Sequence, residues 1–222
     1  GRSFPYILNI TTGCPWNKLI RKSLIDEYQL QFMPLHRSND VYFIFMALAL
    51  AEKITVVQEV FVNYRQSGSS LQANNVKSPW DWYEALKALK LKFEELQIYE
   101  ELRSSFRNLA FGVGIYNLCS LKSGEAFCKV YERMKQEFFE EFDLTDFKEE
   151  ECYSYNSKKY EIYRNMMQCT AGEYLFLEVQ KLKQEKSYWA ARAKNAEKEN
   201  KNKNPKERLS SLARKAMRKF GR

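Results

Sequence analysis

Few side chains in this 222-residue chain have types and spacing suited to chemistry. The one histidine, His36, has no serine or cysteine and carboxylate arranged around it to make a nucleophile, base and orienting acid. It reads as a solvated loop residue. Gly112 and Gly114 fall inside a helical pattern and make no phosphate-cradling loop. Cys14, Cys119, Cys128, Cys152 and Cys169 are odd in number and scattered, without CxxC spacing. That pattern argues for reduced thiols in a cytosol, each a small buried hydrophobe, rather than disulfides or a zinc site. Asn9-Ile10-Thr11 is then a chance match to a glycosylation sequon. What remains is Asp40, which follows Asn39 directly before a long apolar run. A carboxylate at a helix start is held by backbone N–H groups and the positive end of the dipole, which suits it to take a proton. The same position suits an ordinary helix cap.

The elements that must position these residues divide at about residue 77. Residues 1–72 read as mixed α/β: an apolar stretch from Tyr6 to Thr11, then Gly13 and Pro15, then a helical pattern from Asn17 to about Tyr28. Leu19, Ile20, Leu24 and Ile25 form the apolar stripe of that helix. Asn39 or Asp40 caps the next helix, whose residues from Val41 to Ala51 are apolar on every face and must be enclosed by protein. Two β-rich pieces follow, Ile54–Val57 and Val60–Arg65, and then the flexible Ser67-Gly68-Ser69-Ser70.

Beyond Pro79 the pattern is helical. Trp82, Leu86, Leu89, Phe93 and Leu96 step by four and three, as do Leu102, Phe106, Leu109, Val113 and Tyr116, which predicts an antiparallel pair joined near Ile98 and Tyr99. A third helix is predicted from Phe127 to Phe139, and residues 143–171 read as a loop with one short helix. A long helix is predicted from Gly172 to about Asn200, where Leu175, Leu182, Trp189 and Ala196 recur every seven residues. Only one seam position is kept, short of a coiled-coil signature. After a break at residues 200–205, Leu209, Leu212, Ala213, Ala216, Met217 and Phe220 form an apolar face ringed by Lys206, Arg208, Arg214, Lys215, Arg218 and Lys219, a basic amphipathic helix. The organisation is thus 1–76, 77–171 and 172–222.

The formal charge of +8 is unevenly spread. From Lys181 onward there are 15 Lys and Arg against 4 Asp and Glu, which leaves 21 against 24 for residues 1–180. The body is mildly acidic and the tail strongly basic. A nucleic-acid partner would rest on that tail charge alone, and with no interleaved aromatic platform or known motif beside it such a partner is disfavoured. The longest apolar run, Val41 to Ala51, falls well short of the roughly 20 residues that cross a bilayer. The first residues have no signal-peptide pattern. The start at Gly-Arg, entering apolar sequence at once, points to a chain cut from something longer.

Three segments in this order, Gly-Cys-Pro-Trp-Asn-Lys-Leu from Gly13, Ser-Asn-Asp-Val-Tyr-Phe from Ser38 and Val-Asn-Tyr-Arg-Gln-Ser-Gly-Ser-Ser-Leu from Val62, together resemble the second half of the catalytic domain of family 2 glycosyltransferases. These are the inverting, GT-A-type enzymes of bacterial capsule and cell-surface polysaccharide synthesis. The resemblance covers residues 13 to 72. It implies an α+β, mostly helical chain: the acceptor-side part of a GT-A-like domain followed by an all-α extension. It also implies that Asp40 is the general base and that the family's preceding carboxylate is replaced by Asn39. Trp16, Asn17 and Lys18 would lie at the acceptor site, with Arg65, Ser69 and Ser70 near the donor diphosphate. The nucleotide-binding half, with the Asp-x-Asp that holds a divalent metal (Mg or Mn), would precede residue 1, so residues 1–222 alone would not turn over. Implied partners are a nucleotide-sugar donor and a saccharide or lipid-linked saccharide acceptor, at a cytoplasmic site on the inner face of the cell membrane. The alternative is a non-catalytic helical module whose segment 206–220 lies on an anionic membrane surface.

Overall fold

A computed structural model describes residues 3–63, 78–153 and 157–202. The chain is mostly helical, and no strand occurs among the described residues. Contacts divide it into two units, Gly1–Ala171 and Gly172–Arg222.

In the first unit, α1 spans Lys22–Glu27, α2 Asn39–Leu50, α3 Asp81–Glu95, α4 Tyr99–Cys119 and α5 Gly124–Arg133. A π-helical turn, Met134–Phe138, carries α5 into the short α6, Phe139–Glu141, and α7 runs from Ser157 to Gln168. The all-apolar α2 is enclosed as its composition demands: every residue from Val41 to Leu50 is buried except Tyr42, which is half-buried. It packs on α3, and α3 pairs with α4 through a tight turn in which Gln97 takes φ 56° and the Ile98 N–H donates to the Phe93 carbonyl at 2.9 Å.

Most of the stepping residues of both helices lie in the interior, where Leu86, Leu89, Phe93, Leu102 and Phe106 are all almost fully buried, while Leu96 and Val113 are half-buried and Tyr116, at the end of its stripe, is exposed. Each such side chain contributes about 1.5–3 kcal/mol by leaving water. Aromatic rings complete the core: Phe138 lies 4.9 Å from Phe142 and 5.6 Å from Trp82, centroid to centroid. The π turn brings Met134 and Phe138 against Gly114 of α4, where a β-carbon would sit 2.9 Å from Met134 Cε. The absent side chain at Gly114 is what allows that approach.

Several local expectations are overturned. Tyr6–Thr11 contains a 3-10 turn, Ile7–Asn9, anchored on α4 where the Leu8 N–H donates to Ser105 Oγ at 2.9 Å. The helix expected from Asn17 begins only at Lys22. The β-rich residues 54–63 are irregular and exposed; lacking a ladder partner among the described residues, their propensity has nothing to pair with. The GT-A-like α/β layer is therefore not seen. Residues 143–171 do hold, as expected, one short helix, α7, whose Tyr163 and Met166 are buried, besides the 3-10 turn Glu149–Glu151. All five cysteines are free thiols, but only Cys152 is buried, while Cys119 and Cys128 are exposed. In the second unit, α8, which spans Ala171–Asn202, continues from Gly172 without a break. No helix among the described residues is long and apolar enough to cross a membrane.

Candidate functional site

Asp40 sits in the first turn of α2, one residue later than the helix start. Neither it nor Asn39 is the cap. The capping position is Ser38, in the left-handed region at φ 54°, and its side chain makes no capping hydrogen bond. The Val41 N–H donates to the Ser38 carbonyl at 3.2 Å, and the backbone N–H groups of Asp40 and Val41 lie close enough to the Asp40 carboxyl to favour its ionised form. Two influences oppose each other there. The N–H groups and the charge of Lys18 favour the ionised form, while burial of the half-exposed carboxyl disfavours it, and burial prevails, so the carboxyl is raised above its ordinary range. A dipole contribution of about 0.3–1 kcal/mol at a helix start is small enough to be overcome in this way.

The segment facing Asp40 is built around Lys18. Pro15 opens a 3-10 turn, Pro15–Asn17, as its fixed φ and missing N–H allow. The Lys18 ammonium then folds back to donate to the Thr12 carbonyl at 2.7 Å, the Cys14 carbonyl at 2.8 Å and Asn17 Oδ1 at 2.8 Å. Closing that loop needs extended backbone at Lys18, with φ −135° and ψ 142°, and this is why a helix cannot run through it. Gly13 lies on α2, where a β-carbon would meet the Phe45 ring at 3.3 Å and Val41 at 3.9 Å, so the loop is pinned against the first turns of the helix that carries Asp40. Burial lowers the Lys18 ammonium, and the Cys14 and Asp40 charges oppose that shift.

Lys18 and Asp40 are thus brought within electrostatic reach of each other. Trp16 and Asn17 are exposed on the same loop, and Asn39 is exposed beside Asp40. His36 is exposed on the loop before α2. Arg65, Ser69, Ser70 and the basic segment 206–220 lie outside the described residues.

Two features near this site have no signal in residue spacing. Arg37 is buried, its N–H donating to Asp81 Oδ2 of α3 at 2.8 Å, which ties the start of α2 to the start of α3. Phe32 stacks on Phe43 of α2 at 4.3 Å between ring centroids and remains half-exposed. A buried arginine on a loop between charged and polar residues could have been found only by noticing that Asp81 opens the next helix. Away from Asp40, an open cleft of about 510 Å³ lies at the turn between α3 and α4, lined by Lys90, Tyr99, Arg103 and Asp143 among others. It contains none of the candidate catalytic or binding residues named from the sequence. No group of three His, Cys, Asp or Glu among the described residues could hold a metal ion.

No protein-family model, curated protein or solved structure matches the chain.

Proposed function

We propose that residues 1–222 are the acceptor-side part of an inverting glycosyltransferase of the GT-A, family 2 kind, active together with a nucleotide-binding half. Asp40 takes the proton of an acceptor hydroxyl as its oxygen bonds to the anomeric carbon of a nucleotide sugar. The bond from that carbon to the diphosphate breaks, and the nucleoside diphosphate leaves. The observation that carries this reading is the placement of Asp40: part-buried in the first turn of α2, within electrostatic reach of Lys18, with its carboxyl raised by burial so that it binds a proton more readily than a free carboxylate. The raised value is what a base needs and a mere surface cap does not.

Two further observations support it. The loop fastened by Lys18 exposes Trp16, 47% accessible, and an indole face of this kind stacks on sugar rings. Ile54, Val56, Val57, Val60, Phe61 and Val62 are exposed along one irregular stretch, Val60 to 85%, and such a run suits a strand awaiting neighbours from another part of an enzyme. The divalent ion implied by the resemblance finds no ligand group among the described residues, and no step above runs through it.

The test on this chain is acceptor binding. Saturation-transfer NMR against a panel of hexoses and disaccharides is expected to show millimolar binding that Trp16→Ala weakens about fivefold and Asp40→Asn leaves intact. Absence of saccharide contact, or binding indifferent to Trp16→Ala, would contradict an acceptor site here.

A further inference from the structure

α8 carries an apolar stripe that is exposed. Leu175 is 39% accessible, Val179 45%, Leu182 62% and Trp189 59%. Together with Lys186, Ala193 and Ala196, these residues are spaced four and three in strict alternation along a continuous helix, the spacing of the two core positions of a heptad. Leu175, Leu182, Trp189 and Ala196 occupy one core position; Val179, Lys186 and Ala193 occupy the other. Leucine at the first with a β-branched residue at the second favours two parallel strands, and a single lysine in the second favours a dimer in fixed register.

The flanking charges name the partner. In a parallel pair, the residue just before each second core position faces the residue five places later on the partner helix. For this helix those pairings are Glu178 with Lys183, Glu185 with Ala190 and Arg192 with Glu197, and the two in which both residues are charged are opposite in sign. Glu178 bonds Lys181 on its own helix at 3.1 Å. An exposed pair of that kind is weak enough to yield to a partner. Arg192 lies over Trp189, 5.4 Å from ring centroid to guanidinium, on the flank of the stripe where it would meet Glu197 of a second copy.

We propose that α8 is a self-association element: two copies of this chain join through residues 175–196 as a parallel, two-stranded coiled coil. The stretch is about 33 Å long at 1.5 Å per residue, a little over three heptads. The seven-residue repeat visible in the sequence kept one core position; the helix shows that the second is occupied by a valine, a lysine and an alanine on the same exposed stripe. The inference is independent of any role for Asp40.

Sedimentation equilibrium of the full chain tests it. A dimer is expected at about 50 µM, weakened at least tenfold by Leu182→Glu with Trp189→Glu, with helical circular dichroism retained. Glu178→Lys alone weakens the dimer, and Glu178→Lys combined with Lys183→Glu restores it to within about twofold, because in the parallel register the swapped charges still face each other. A monomer at all concentrations up to about 100 µM overturns the proposal, whether or not the chain binds vesicles. A dimer indifferent to the core substitutions, or one that the charge swap fails to restore, overturns it equally.

Discussion

At the scale of single residues the account turns on the balance at Asp40. Backbone N–H groups and the Lys18 charge pull its carboxyl down, burial pushes it up, and burial wins. The carboxyl resonance of Asp40 in a ¹³C NMR titration is therefore expected to move above the ordinary aspartate value of about 3.9. Lys18→Met removes one of the downward pulls and should move it higher still. A titration at or below the ordinary value would mean that the helix start, not burial, controls the group. The chain order of Asn39 and Asp40 announces a helix start, because two polar residues precede an apolar run. How deep the carboxyl lies could not be read from that order: it depends on Gly13 seating the loop against Phe45 and Val41, a contact between residues about thirty positions apart.

At the scale of elements, legibility followed length and periodicity. α2, α3, α4 and α8 are each marked by an apolar pattern over at least eleven residues, and each occurs near its expected bounds. Short pieces were misread because local chemistry decides them. Pro15 and the Lys18 ammonium make a 3-10 turn and an extended residue where a stripe of leucine and isoleucine suggested helix. A short helix within 143–171 is legible, but its bounds are not, because the buried Tyr163 and Met166 of α7 are separated by charged and polar residues. At Gly114 two elements approach closely: a β-carbon there would lie 2.9 Å from Met134 Cε and 3.0 Å from Phe138 Cζ. Gly114→Ala is expected to cost about 1–3 kcal/mol in urea unfolding. Gly112→Ala, which would meet only Lys159 Nζ at 3.6 Å, is expected to gain up to about 1 kcal/mol from reduced chain entropy. Equal effects at the two positions would show that α4 does not approach the π turn as described.

For the molecule as a whole, stability should depend on pH through groups invisible to sequence reading. Lys159 donates to the Asn108 carbonyl at 2.8 Å, and burial lowers its ammonium to about 8. Between about pH 8 and the ordinary lysine value near 10.4, the unfolded chain holds a proton that the folded chain has released. Unfolding then takes up a proton, and the contribution of Lys159 to stability rises with pH across that window. The opposite sign applies to Tyr83 and Tyr99, whose phenols donate to Glu141 and Asp143 and are raised, and to the buried thiol of Cys152, also raised. These groups lose stability as pH climbs past their unfolded values. Subtracting the unfolding free energy of Lys159→Met from that of the wild type isolates the lysine, and the difference should grow from pH 8 to 10; a flat difference would mean that Lys159 is solvated. The same burial that creates these shifts explains why neither the lysine nor the tyrosines stood out in the chain order: each is paired across 40 or more positions, as in Tyr99 with Asp143 and Lys159 with Asn108.

The proposal that Asp40 acts as a base is tested most directly by assaying sugar transfer by a chain in which this segment follows a nucleotide-binding half. Asp40→Asn is expected to lower kcat about 10²- to 10⁴-fold while donor affinity stays within about twofold. Transfer that continues at the wild-type rate in that variant would contradict the account.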